Sequence, residues 1–445
     1  MKYSALVALA GIAAANTNAD DATHIFNTDD QWKTGTVNID SFDDDIFYWV
    51  FQSRSAPSTD PLVLWLTGGP GCASEVALFY ENGPYQFTSA TDSTLKSNPN
   101  SWNTFANLLY VDQPIGTGFS KGGLHDAKSE KEVAQDMATM LKGFVEQNPE
   151  YKDRDFFITG ESYAGHYVPA IAYELLTEAT DVPLNLKGIA IGNGLTDPFA
   201  QYPEYAKFSY ENKLISKTWD EVLNGGFKAC QGLIYESQHK YKTNAKVQLA
   251  ALEFCQVLAD SIIGNPLHPK FNVYDIREPC ASPPLCYDFS QSDTLLNDAE
   301  TQKTLGTTGR KWVECDRLVH TALLGDWMTN LMPQVASILD DHDVQVLVYS
   351  GDKDWICNWR GGEAWTAATK WASKKEFNAA EYVEWKVDGE AAGDMRQYGD
   401  LHFLRVYDAG HMVPMDQPVN ALAMLKMFVN GDWDLSKDEE PSILQ

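Results

Sequence analysis

Asp155-Phe156-Phe157-Ile158-Thr159-Gly160-Glu161-Ser162-Tyr163-Ala164-Gly165-His166-Tyr167-Val168-Pro169 is the stretch on which the fold turns. Its apolar start, Phe156 to Ile158, reads as a buried strand. Gly160 is the residue expected to make a tight turn, because it lacks a Cβ. Ser162 follows, and Tyr163 to Leu176 is compatible with a helix. A strand, Gly-x-Ser and a helix form the nucleophile-elbow pattern, which lifts the serine oxygen clear of a sheet at a helix N-terminus. The fifth position is Ala164 where the pattern usually has glycine. Glu161 stands beside the serine, and a fixed negative charge there is unfavourable unless the carboxyl binds something.

A second glycine-rich turn, Thr67-Gly68-Gly69-Pro70-Gly71-Cys72, also follows an apolar run, Leu62 to Leu66. It lacks the Gly-Lys-Ser/Thr ending of a phosphate loop. Asp354 and His411 come later, in the chain order serine, acid, histidine used by α/β hydrolases. With these in place the chain resembles the serine carboxypeptidase family, in particular the carboxypeptidase Y and plant carboxypeptidase III types. The resemblance runs from about Asp30 to the C-terminal helix. It rests on Trp65 to Cys72, Val111-Asp112-Gln113-Pro114-Ile115-Gly116-Thr117-Gly118-Phe119-Ser120, Gly160 to Gly165, Gly351-Asp352-Lys353-Asp354 and Gly410-His411-Met412-Val413-Pro414. It implies an α/β-hydrolase fold: a largely parallel central sheet, helices on both faces and a disulfide-bearing cap insertion.

The rest of the chain fits that plan. Ile46 to Phe51 and Leu62 to Leu66 read as neighbouring strands, and Leu108 to Val111 as another. Val133, Met137, Met140, Leu141 and Phe144 share one face of a helix over 127–147. Gly188 to Ile191 is a strand ended by Gly192-Asn193-Gly194. Over 197–325 the strand–helix alternation breaks, and five of the seven cysteines fall there, which marks the insertion. Val344 to Tyr349 and His402 to Tyr407 restore the strands, and Pro418 to Asn430 closes the chain as a helix. The expected division is a signal peptide at 1–19, core at 20–196, cap at 197–325 and core at 326–445. Lys2, the apolar run Ala5 to Ala15 and the small residues up to Ala19 carry the signal reading. No stretch is apolar enough to span a bilayer, so a lumenal or secreted protein is expected, in a vacuole or lysosome or outside the cell.

The formal charge of −28 argues against nucleic acid and anionic membranes as partners. Seven cysteines leave at least one unpaired in an oxidising compartment, and six allow fifteen pairings. The resemblance implies Cys72–Cys315, Cys230–Cys255 and Cys280–Cys286, with Cys357 free. The nine histidines show no metal-binding spacing, so neither a metal nor a cofactor is expected.

Ser162 is the expected nucleophile. It is too weak an acid to attack an amide unaided and needs a base. His411 is that base, and Asp354, rather than Asp352 two residues earlier, is the acid that orients it, since the family motif matches the second aspartate. Backbone N–H groups of Gly69 and Tyr163 are expected to form the oxyanion hole. The resemblance implies that Glu81 and Glu161, helped by Gly68, Thr67 and Trp65, bind the substrate's terminal carboxylate through shared protons. Many relatives carry asparagine where this chain has Thr67, and the plant type resembles it in having threonine. Ile356, Cys357 and Met412 flank the acid and base and are expected to line substrate pockets. The expected activity is removal of C-terminal residues from peptides and proteins at acidic pH through an acyl-enzyme. An acyltransferase on the same scaffold typically has aspartate before the nucleophile, unlike Glu161. The intact Ser162, Asp354 and His411 weigh against an inactive binding protein.

Overall fold

The computed structural model describes residues 29–39, 44–88, 93–122, 127–242 and 244–435. The signal segment lies outside these. Ten strands form one sheet: β1 (Trp32–Asn38), β2 (Asp45–Phe51), β3 (Leu62–Leu66), β4 (Asn107–Val111), β5 (Asp155–Glu161), β6 (Asn185–Gly192), β7 (Gln345–Gly351), β8 (Val383–Val387), β9 (Glu390–Tyr398) and β10 (Leu401–Val406). Their spatial order is β1-β2-β4-β3-β5-β6-β7-β10-β9-β8. The run β4-β3-β5-β6-β7-β10 is parallel throughout. The strands at both edges are antiparallel.

Every residue of β2 and β3 is buried, as the unbroken apolar runs require for strands covered on both faces. Alternate side chains separate into two cores. Leu62, Leu64, Leu66, Ile158 and Val348 pack on one side beneath helices Glu130–Gln147 and Ala164–Thr177. Val63, Trp65, Phe157 and Tyr349 pack on the other beneath helix Pro418–Asn430. The capped start at Ser129, whose hydroxyl accepts from Glu132 N, sets where the first of these helices begins.

Three sequence expectations need correction. β2 and β3 are not neighbours, because β4 is inserted between them. The loop 52–61 carries the chain past the adjacent position, and the crossover after β3, through helix Glu75–Tyr80, returns to fill it with β4, which a local reading of two consecutive strands does not reveal. Strands β1, β8 and β9 escape a reading by apolar runs: they mix polar and apolar residues and lie at the sheet edges, where only one flank is paired or cover is incomplete. Between β6 and β7 the chain leaves the sheet, and there the missing alternation conceals two long helices, Lys217–His239 and Ala245–Ile263. Leu223, Phe227, Cys230 and Ile234 recur at helical spacing, and with Ala251, Cys255 and Ala259 they form a third, separate core.

The three disulfides are Cys72–Cys315, Cys230–Cys255 and Cys280–Cys286, and Cys357 is free. The first ties the loop after β3 to the insert, and the second joins the two long insert helices. Among the described residues no helix is long and apolar enough to cross a membrane.

Candidate active site

The candidate nucleophile sits at the C-terminal end of β5, near the middle of the sheet, where α/β sheets place their ligands. Ser162 itself takes the left-handed conformation, φ 66°. The expectation that Gly160 makes the turn is therefore wrong. Gly160 remains in the strand, and what it supplies is space: a Cβ there would lie 2.7 Å from both Ala164 Cβ and Leu66 O. A strained non-glycine backbone costs about 1–3 kcal/mol and persists only when its surroundings hold it. Ser162 N donates to Gly192 O at 3.0 Å, and Ser162 O accepts from Gly165 N and Leu195 N, each at 3.0 Å.

The loop after β3 presses against this elbow. A Cβ on Gly68 would lie 2.4 Å from Tyr163 N and 2.8 Å from Ser162 Cβ, so only glycine allows the approach. The candidate oxyanion donors, Gly69 and Tyr163, thus belong to two backbones in direct contact. Thr67 N donates to Ser74 Oγ (3.3 Å) and Cys72 N to Gly68 O (3.1 Å), which holds the loop from both ends. The Thr67 hydroxyl accepts from Trp65 Nε1 at 3.1 Å, and it keeps its own proton to donate elsewhere.

Asp354 and His411 lie on loops after β7 and β10, adjacent strands at the same end of the sheet. His411 Nδ1 is 2.8 Å from Asp354 Oδ2, and both residues are buried. Asp354 Oδ2 also accepts from Asn193 Nδ2 (2.7 Å) and Cys357 N (3.2 Å), and Oδ1 accepts from Ile356 N (3.0 Å). Asp352 points elsewhere and pairs with Lys353 at 2.8 Å. Asn193 is a site residue that sequence reasoning misses, because in one dimension it reads only as a strand terminator. The available signal is Gly192-Asn193-Gly194 at the end of a central strand. Its Oδ1 also accepts from Gly351 N, so one amide binds both the acid and the end of its strand.

Behind the histidine are Glu161 and Glu81. His411 Nε2 lies 3.9 Å from Glu161 Oε1. The two glutamates are hydrogen-bonded to each other and almost fully buried. Burial pushes Glu81 up to about 7, with the Glu161 hydrogen bond and His411 opposing. Burial, and then Glu81, raise Glu161 well above the usual carboxylate range. Two carboxyls in one dry site resist ionising together, which raises both above the usual carboxylate range. Glu81 Oε2 and Glu161 Oε2 have no hydrogen-bond partner among the described residues.

The profile of the family described as serine carboxypeptidase matches residues 25–431. The chain belongs to the serine carboxypeptidase family. "Serine carboxypeptidase-like 47" of Arabidopsis thaliana is 41% identical over 391 residues, covering 87% of this chain and 75% of the relative. "Serine carboxypeptidase 3" of Hordeum vulgare is 41% identical, covering 89% and 77%. "Carboxypeptidase Y homolog A" of Talaromyces stipitatus is 37% identical, covering 90% and 72%. The crystal structure of Kex1Δp, a prohormone-processing carboxypeptidase from Saccharomyces cerevisiae, superposes with a TM-score of 0.79 at 25% identity, covering 90% of this chain and 91% of that one.

Cys357 is a half-buried residue with a free thiol next to Asp354. Burial of the sulfur, followed by Asp354 and Glu161, raises its pKa well above the usual thiol value. Donor atoms of Asp354, Cys357 and His411 lie within 4.8 Å of one another. The Asp354 carboxylate is already occupied by the N–H groups of His411, Asn193, Cys357 and Ile356, which makes the set a hydrogen-bonded acid–base pair with a thiol beside it. A protonated thiol alkylates slowly but still binds soft mercury. Mercurials are therefore expected to reduce activity more than about tenfold, and iodoacetamide at about pH 7 to act far more slowly. Cys357→Ser should abolish the mercurial effect. Unchanged sensitivity in that variant would locate the reactive thiol elsewhere. Ile356 is partly exposed beside Cys357, and Met412 follows the histidine at the edge of the second core.

Proposed function

We propose that the protein is an acid-range carboxypeptidase in which Ser162, His411 and Asp354 perform acyl transfer and Glu81 and Glu161 recognise the free C-terminus. His411 takes the Ser162 proton as the hydroxyl attacks the scissile carbonyl. Asp354 holds the imidazole tautomer and stabilises the imidazolium that forms. Gly69 and Tyr163 N–H groups stabilise the oxyanion. His411 then protonates the leaving amine, and water hydrolyses the acyl-enzyme by the reverse relay.

The observation that carries the exopeptidase reading is the buried glutamate pair, whose Glu161 Oε1 lies 3.9 Å from His411 Nε2. While the pair holds a proton, its outward oxygens can share hydrogen bonds with a substrate carboxylate, which a doubly charged pair would repel. Gly68, Thr67 and Trp65 complete that end of the site. Ile356, Cys357 and Met412 line the side-chain pockets. The substrates are peptides and proteins with a free C-terminus. The three disulfides and the N-terminal signal pattern support the secretory pathway, with a vacuolar, lysosomal or extracellular destination. The segment 197–325 serves as the cap, supported by its separate core.

A pair of pH profiles of kcat/KM tests this reading. Glu81 is raised to about 7 and hydrogen-bonded to Glu161, so above that pH the pair gives up a proton and gains a negative charge that opposes a substrate carboxylate. A substrate with a free C-terminus should lose activity above about pH 7 by up to about tenfold per pH unit. An amide- or ester-blocked substrate should keep its rate there and be limited only on the acid side, by protonation of His411. In Glu161→Gln the donor remains but the shared titration is gone, so peptidase activity at neutral pH should fall less relative to its acid value. Superimposable wild-type profiles would remove the carboxylate-binding role and leave the triad untouched.

A further inference from the structure

Residues 272–278 belong to the insert, yet they are bonded to both catalytic loops. They form a tight turn: Asp275 N donates to Asn272 O (3.2 Å) and Asn272 N to Glu278 O (2.9 Å). Val273 O accepts from Trp355 N (3.2 Å) and Ile356 N (3.0 Å), while Ile276 N donates to Lys353 O (3.0 Å). Asp354 is thus flanked on both sides by residues pinned to the turn. On the histidine side, His411 N donates to Tyr274 O (2.7 Å), and the two rings are 5.2 Å apart.

One side chain locks this arrangement. Arg277 grips Asp275 with two nitrogens: Nε lies 2.9 and 3.1 Å from the carboxylate oxygens, and Nη2 lies 2.5 Å from Oδ2. The same guanidinium donates to Asp416 Oδ2 (3.2 Å) and Asp408 O (2.7 Å). Asp416 Oδ2 in turn accepts from Gly410 N at 2.6 Å, one residue before His411. The histidine loop is therefore held at four residues: Asp408 O accepts from Arg277 and from Gln417 Nε2 (2.9 Å), Ala409 O from Lys353 N (2.8 Å), His411 N donates to Tyr274 O, and Gly410 N is tied to Arg277 through Asp416.

We propose that Arg277 is a positioning residue for catalysis, locking the cap turn 272–278 onto the histidine loop and so holding His411 in line with Asp354 and Ser162. This rests on the triad reading above. Arg277 acts at a distance, through Asp416 and the Gly410 peptide. The planar guanidinium fork is suited to such a brace, because it binds one carboxylate with two donors and still reaches a second carboxylate and a carbonyl. Without it, Asp275 and Asp416 lose the cation they share, and the loop keeps its backbone ties at Ala409 and His411 but loses the brace that fixes Asp416 and, through it, Gly410. Displacements of about 1 Å at a reacting group can cost about 10²-fold in rate.

Arg277→Met is expected to lower kcat by about 10- to 100-fold and to change KM by less than about twofold, since uniform substrate binding is untouched. Arg277→Lys, with the charge but not the fork, should recover part of kcat. Inactivation by a fluorophosphonate, which reads Ser162 activation without the carboxylate site, should slow in step with kcat. A folded Arg277→Met with wild-type kcat and inactivation rate, or with raised KM and unchanged kcat, would overturn the proposal. If that variant does not fold, Asp416 decides. Asp416→Asn keeps an oxygen for Gly410 N and should lose clearly less kcat than Asp416→Ala, and equal values for the two would overturn it. Ser162→Ala is the control: residual turnover there would refute the triad itself, whereas an inactive Ser162→Ala beside unaffected Arg277 variants would refute only the brace.

Discussion

Ser162→Ala is expected to fold with an unaltered Tm and to lose about 10⁴- to 10⁶-fold in kcat. The fold should be indifferent because alanine keeps the Cβ that the backbone already tolerates at φ 66°. The bonds that hold this conformation are made by Ser162 N and O, and alanine has both. What is lost is the oxygen, and with it the acyl-enzyme. Residual rate would come from the oxyanion donors and substrate binding alone. The measurement is turnover of a blocked dipeptide by the purified variant beside its melting curve. Near-wild-type turnover would remove Ser162 as nucleophile.

Asp354→Asn is expected to cost about 10²- to 10⁴-fold in kcat. The Asp354 carboxylate is surrounded only by donors: His411 Nδ1, Asn193 Nδ2 and Cys357 N on one oxygen, Ile356 N on the other. An asparagine that points its oxygen at His411 preserves the tautomer. It then sets its NH2 against Ile356 N–H and provides no negative charge for the imidazolium. Turned the other way, it donates to Nδ1 and forces the proton onto Nε2, where the serine proton has to go. This second arrangement also turns the NH2 against Asn193 Nδ2 and Cys357 N, for a further loss of about 1–3 kcal/mol in stability. Stopped assays at the pH plateau and a thermal melt measure both effects. A kcat loss below about tenfold would remove Asp354 as the orienting acid. In that case Asp352, which pairs with Lys353, would have to be reconsidered.

The sequence determined those features whose causes are local or whose pattern is unmistakable in one dimension. Apolar runs such as Leu62–Leu66, rich in aliphatic residues and bounded by turn residues, read as strands buried on both faces. Helical spacing in 130–147 announced its buried face in the same way. The order Ser162, Asp354, His411 and the glycine-rich loop at 67–71 named the candidate chemistry before any geometry was known. The tertiary structure decided whatever depends on residues far apart in the chain. Strand order is one case, since β4 enters between β2 and β3 only after a crossover. The left-handed turn is another: Ser162 adopts it because Gly192, Gly165 and Leu195 hold its backbone, while Gly160 is needed for close packing. Asn193 and Arg277 look like a loop amide and a surface cation in the sequence. Asn193 becomes a partner of Asp354, and Arg277 a partner of the loop that carries His411, only where β6, β7, β10 and the insert meet. The protonation of Glu81 and Glu161 belongs to this second group as well. A glutamate carries an ordinary carboxyl in any extended chain, and only the burial of two of them in one dry site, beside His411, raises both above the usual carboxylate range.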